Sequence, residues 1–147
     1  MRTLLALASL SILAAACGPK LAPPPSFAAI DGHDYDYRAT TAQGVVVAVR
    51  KEANDPRADV GFWARAIDLK LSRDGYARAS EAKVKTDRGL DGIELAYARA
   101  DQGRTTRYEV ALFVDGSRLY VVEAGGDAED FDPARPDVEK AIRSLNP

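Results

Sequence analysis

Few side chains in this sequence are suited to chemistry, and they are scattered. The single histidine, His33, lies in Asp31-Gly32-His33-Asp34-Tyr35-Asp36. Asp31, His33 and Asp34 could ligate a cation, but their spacing matches neither a zinc site nor an EF-hand loop. A polar turn leading into a strand accounts for the same residues. A Ser-His-Asp triad would have to use His33, and no Gly-x-Ser-x-Gly elbow exists to offer a serine. The single cysteine, Cys17, excludes an internal disulfide and a cysteine-based zinc site. Catalysis by carboxylates needs two acids at fixed separation with their pKa values pushed apart. Glu94, Glu109 and Glu123 fall in successive apolar stretches and could share one sheet face. Arg99, Arg104 and Arg107 are the cross-strand partners available to neutralise them. The acidic run at 127–132 lacks EF-hand spacing and reads as a solvated loop. Gly125-Gly126 matches neither phosphate-loop pattern. Glu123 stands out, because it interrupts an apolar strand just before those glycines. The expectation is therefore no catalytic residue, no metal and no cofactor.

Periodicity defines the elements that must position these groups. Tyr35 and Tyr37 alternate with Asp34, Asp36 and Arg38, and Val45-Val46-Val47-Ala48-Val49 suits a strand covered on both faces. Together they predict a hairpin. Asn54-Asp55-Pro56 or Asp59 opens a helix in which Val60, Trp63, Ala64, Ile67 and Leu71 recur at helical spacing. Phe62, Ala66 and Leu69 widen that stripe, and Gly75 ends it. Trp63, inside the stripe, reads as a packing residue rather than a ligand platform. Residues 76–86 alternate weakly and carry many charges, as an exposed or edge strand does. Ile93, Leu95 and Tyr97 mark a further strand, and Tyr108, Val110, Leu112 and Val114 another. Asp115-Gly116 then turns the chain into residues 119–122. Val138, Ile142 and Leu145 predict a closing helix over 136–145. The order β-β-α-β-β-β-β-α predicts an α+β domain over 30–147, with an antiparallel sheet of about six strands flanked by helices.

Composition bounds the rest. At 147 residues, 46% hydrophobic and 29% charged, the chain has room for one folded domain. Twenty Lys and Arg against 22 Asp and Glu leave a net charge of −2, without the basic excess that nucleic acid requires. Residues 1–16 start with a positive charge from Arg2 and the amino terminus and continue as an apolar run too short to span a bilayer. They end in Ala14-Ala15-Ala16-Cys17-Gly18, which resembles the bacterial lipobox, with Ala14 where Leu or Val is usual. That resemblance implies cleavage before Cys17 and acylation of its thiol; the alternative is ordinary secretion with a free thiol. Gly18 after the cysteine favours the outer over the inner membrane. The prolines at 19, 23, 24 and 25 predict an extended tether over 17–29.

Three stretches, in this element order, carry a wider resemblance: Gly44-Val45-Val46-Val47-Ala48-Val49-Arg50, Phe62-Trp63-Ala64-Arg65-Ala66-Ile67 and Val121-Val122-Glu123-Ala124-Gly125. The chain resembles small bacterial lipoproteins of the Mog1/PsbP-like fold group, which includes the DcrB-like proteins. The resemblance implies a six-stranded antiparallel sheet flanked by helices. It also implies action by binding other proteins, a small GTPase for Mog1 and a photosynthetic complex for PsbP. No residue motif for either partner is present. The function expected is that of a non-enzymatic, membrane-anchored envelope protein that binds a protein or envelope component. The alternative is a periplasmic small-ligand binder. Its pocket would lie between the sheet and the Trp63 helix, or beside Tyr35, Tyr37 and Tyr120, with Glu123 as a further binding residue.

Overall fold

In the computed structural model, residues 18–147 are described. The expected signal, 1–16, and the expected lipidation site, Cys17, lie outside the described residues. Seven strands, β1 (Ala28–Ala29), β2 (Tyr37–Thr40), β3 (Val46–Ala53), β4 (Ala77–Lys85), β5 (Asp91–Asp101), β6 (Arg104–Asp115) and β7 (Arg118–Asp127), form one antiparallel sheet in the order β1-β2-β3-β7-β6-β5-β4. The β5–β6 turn uses Gln102 and Gly103 at φ 48° and 81°, the left-handed pair that a two-residue hairpin loop requires.

Helix α1 (Val60–Arg73) lies on one face and α2 (Ala128–Arg143) on the other. Asp59 caps α1 by accepting a 2.7 Å hydrogen bond from the Phe62 amide. The α1 side buries Leu95, Tyr97, Val110, Leu112 and Val121 against Ala64, Ile67 and Leu71. The α2 side buries Val47, Val49, Phe113, Tyr120 and Val122 against Phe131, Val138 and Ile142. The architecture is thus three layers, α+β, with the exposed edge strand β4 where weak alternation predicts it.

Several expectations change. Phe62 and Leu69 do not widen the buried stripe: they are 41% and 60% exposed, because α1 packs mainly on β4, β5 and β6 and one narrow face suffices. Trp63 is half-buried against that core, and its indole N–H donates 2.8 Å to Asn54 Oδ1. Asn54 is not a helix cap. It is 5% exposed, and its amide donates to the carbonyls of Ala58 and Gly116, tying the α1 entry to the β6–β7 turn. The closing helix starts at Ala128, eight residues earlier than expected. The acidic run is therefore its first turns, with Glu129 and Asp130 favourably placed at the positive end of the helix dipole.

Residues 18–29 are packed onto the domain rather than held out as a tether. Leu21 and Phe27 are 7% and 8% exposed within the α2-side core. Lys20 and Asn146 exchange backbone hydrogen bonds of 3.0 and 2.9 Å, and Ser26 donates 2.8 Å to Asp137. Burying two such apolar side chains contributes about 1.5–3 kcal/mol each, and the prolines between them reduce the entropy lost on ordering. β1, which adds a seventh strand, comes from this segment.

Candidate functional site

Register decides where the charged side chains go. Glu109 lies opposite Ala96 and Ala124, whereas Glu123 lies opposite Val110 and Ala48. Paired residues share a face, so Glu94 and Glu109 point toward α2 and Glu123 toward the α1 side. The three acids do not share one face, and none pairs with Arg99, Arg104 or Arg107. Arg107 instead holds Asp132 at the start of α2 through two 3.0 Å hydrogen bonds. That pair keeps the Asp132 carboxyl below its ordinary range.

On the α1 side the helix leaves β2, β3, the Glu123-to-Gly125 part of β7 and one end of β6 uncovered. A groove of about 240 Å³ lies there, lined by Tyr35, Arg38, Val46, Ala48, Thr106 to Tyr108 and Glu123 to Gly126. Its floor is made of small residues. Arg38, Ala48 and Glu123 stand side by side on β2, β3 and β7, and Val46, Gly125 and Tyr108 on β3, β7 and β6. At Gly125 a Cβ would come within 3.3 Å of the Arg107 carbonyl and 3.4 Å of the Tyr108 ring, so glycine lets that ring lie close to the strand. The low floor accounts for the first of the two glycines after Glu123; at the second, Gly126, a Cβ would come within 3.3 Å of the Val45 Cα.

Each carboxylate oxygen of Glu123 has a donor. Arg50 Nη1 donates 2.7 Å to Oε2, and the Tyr108 hydroxyl donates to Oε1. Burial, and then the charge of Glu123, push the Tyr108 hydroxyl far above the phenol range and keep it a donor. Arg50 also lies 3.4 Å from Glu52. Across the groove, Arg38 rests against the Tyr35 ring at 6.0 Å, and its Nε is buried without a hydrogen-bond partner.

The residues singled out in the sequence divide between the two faces. Tyr35 and Glu123 line the groove together. Tyr37 packs with the α2-side core, and Tyr120, at 1% exposure, is inside it. His33 is exposed in a bend. Arg38 and Tyr108, which line the groove, and Arg50, which holds Glu123, are residues that periodicity does not find, since each sits in an ordinary alternating strand. Among the described residues no cluster of three His, Cys, Asp or Glu is arranged to hold a metal ion, and no helix is long and apolar enough to cross a membrane.

No family model and no curated protein matches this sequence. Solved structures do. LpqN of Mycobacterium tuberculosis, described as involved in cell envelope biogenesis, aligns with a TM-score of 0.63 at 14% identity, over 88% of this chain and 83% of LpqN. PA94 of Pseudomonas aeruginosa, a protein of unknown function, aligns at 0.56 and 14% identity, over 88% and 82%. Cyanobacterial PsbP from Synechocystis sp. PCC 6803 aligns at 0.56 and 10% identity, over 95% and 98%. At these identities the likeness is one of fold. With its antiparallel sheet between two helices and these neighbours, the chain has the Mog1/PsbP-like fold.

Proposed function

We propose that this protein is a non-enzymatic, membrane-anchored envelope protein that binds another envelope component through the groove beside Glu123. The carrying observation is the uncovered half of the α1-side sheet face, with its small-residue floor and flanking tyrosines and arginines. Glu123, Arg50 and Tyr108 are bonded to one another, an arrangement suited to shaping a surface rather than to moving a proton. The Ala14-Ala15-Ala16-Cys17 signal supports an acyl anchor on Cys17, and Gly18 favours the outer membrane. The envelope setting of LpqN fits this reading.

The anchor has a structural consequence. Leu21 is already packed into the domain, so an acylated Cys17 holds the domain close to the bilayer surface instead of at the end of a spacer. Cys17→Ser is expected to leave an uncut precursor or a product without acyl chains. Unchanged palmitate incorporation would remove the anchor. A photo-crosslinking residue at Tyr35, in the native envelope, is expected to capture a reproducible neighbour that the same residue at Leu69, on the outer side of α1, does not. Equal capture from both positions, or none from Tyr35, overturns the groove as the binding surface.

A further inference from the structure

We infer that the groove receives the anionic end of an amphiphile, with a carboxylate or phosphate on Arg38 and the attached apolar chain over Ala48, Val46 and Gly125. This rests on the groove being the binding surface, and it names the chemistry of what binds there.

Most charges at the groove are already used. Glu123 is the one acid lining the groove, and Arg50 and Tyr108 occupy it. Arg107 is engaged by Asp132. Arg38 makes no ion pair among the described residues; its contact is the face of Tyr35, and its Nε is buried without a partner. Asp31 and Asp36 line an adjoining pocket with Arg38 but neither is within ion-pair distance, so the half-buried guanidinium keeps an Nε without an acceptor, which an incoming anion supplies together with its charge. Glu123 cannot supply them. It is two strands away, about 10 Å from Arg38 along the sheet at ordinary strand spacing, with the methyl of Ala48 between them.

The floor decides what the anion is attached to. β3 and β7 are interior strands, each paired on both sides, so their backbone groups are spent in the sheet. An extended peptide finds no free strand edge there. What the floor offers is Val46, Ala48, Gly125 and the ring of Tyr108, an apolar surface without directional groups. At about 240 Å³ the groove is also smaller than the ~300–1,000 Å³ of pockets that enclose a drug-sized molecule. It therefore fits a head group and the first part of a chain, leaving the remainder outside.

The test uses the purified full chain and four short-chain probes: octanoate, octyl phosphate, octanol and octyltrimethylammonium. Binding is followed by the amide shifts of Ala48 and Gly125 and by calorimetry. At least one of octanoate and octyl phosphate is expected to saturate these shifts, about tenfold more tightly than octanol or octyltrimethylammonium, and to weaken with added salt. Preference for octyl phosphate assigns a phospholipid-like source, preference for octanoate a fatty-acid-like one, and equal binding a charge-only site; all three support the inference. Arg38→Gln is expected to lose about tenfold in affinity with Tm unchanged, and Arg38→Lys to retain part of it. Equal binding of octanol and the anions, or unchanged anion affinity in Arg38→Gln, overturns the anion inference while leaving the groove a binding surface. Silence at Ala48 and Gly125 with every probe, alongside specific capture at Tyr35, also overturns it and points to a protein ligand. Silence together with failed capture removes the groove reading itself.

Discussion

Glu109 on β6 and Glu123 on β7 face opposite sides of the same sheet, and each meets one arginine. Glu109 is 1% exposed beneath α2. Arg135 Nη1 lies 2.9 Å from its Oε1 but is not aligned as a hydrogen bond, so both carboxylate oxygens lack a donor. Burial pushes this carboxyl up to about 7; Glu94, Glu139 and Asp132 add to the rise and Arg135 opposes it. Burial raises neighbouring Glu94 as well. Glu123 keeps 14% side-chain exposure, an aligned arginine and a tyrosine hydroxyl. The α2 face is closed and holds an ill-served charge; the α1 face is half open and its acid is fully served. Donor geometry and access to water, not the presence of an arginine, separate the two sites.

The largest test of this contrast is packing. Phe131→Ala, at a fully buried α2 position, is expected to cost about 3–5 kcal/mol in urea unfolding. Tyr35→Ala, on the open side, should cost no more than about 0.5 kcal/mol, as at a surface position. Comparable losses at the two sites would mean that the groove is a closed part of the core.

The next effect is a pH dependence carried by Glu109. Its folded-state pKa is raised from 4.5 to about 7, so the native protein holds a proton that the unfolded chain has lost. The unfolded state then binds fewer protons, and stability falls as pH rises from about 4.5 to about 7 and is level above. The full loss is about 3 kcal/mol. Glu109→Gln should remove that fall, making the variant more stable than wild type at pH 8 and little different at pH 4. Parallel Tm-against-pH curves for the two proteins would show that Glu109 is well served after all.

Residue patterns announce the frame of this molecule and conceal the groove. The alternation of Tyr108, Val110, Leu112 and Val114, the Asp115-Gly116 turn and the Val60-to-Leu71 stripe are local signals, and those elements form where they predict. Pro136 reads as a helix start because proline is tolerated in a first turn, yet α2 contains Pro133 and Pro136. Burial of Phe131 and the Arg107–Asp132 pair extend the helix upstream, and that pair reaches a strand 25 residues away. Residues 18–29 are similar: their prolines announce extension, while docking comes from Leu21 and Phe27 meeting α2. The groove is harder to see. Arg38, Ala48 and Glu123 become neighbours only through the β2–β3–β7 register, which joins distant parts of the chain. Glu123 is legible as an acid in an apolar strand; that Arg50 would claim it and Arg38 would not is legible only in three dimensions.

The smallest effect belongs to the open side. Glu123→Gln keeps an acceptor for Tyr108 and removes the charge facing Arg50, which retains Glu52 at 3.4 Å. Water reaches this pair, and Arg50 is 31% exposed along its side chain, so the charge contributes about 1 kcal/mol at most. A double-mutant cycle of Glu123→Gln with Arg50→Gln, read in urea at low and high salt, should give a coupling near that value that shrinks as salt screens it. The corresponding cycle of Glu109→Gln with Arg135→Gln should differ in kind. Arg135→Gln alone leaves a buried charge without its one partner and is costly at pH 8, whereas in the Glu109→Gln background it is nearly silent. Its coupling is therefore the larger of the two, and salt screens a buried pair less. A salt-resistant coupling of several kcal/mol at Glu123 would place that acid in a closed interior and end the distinction between the faces.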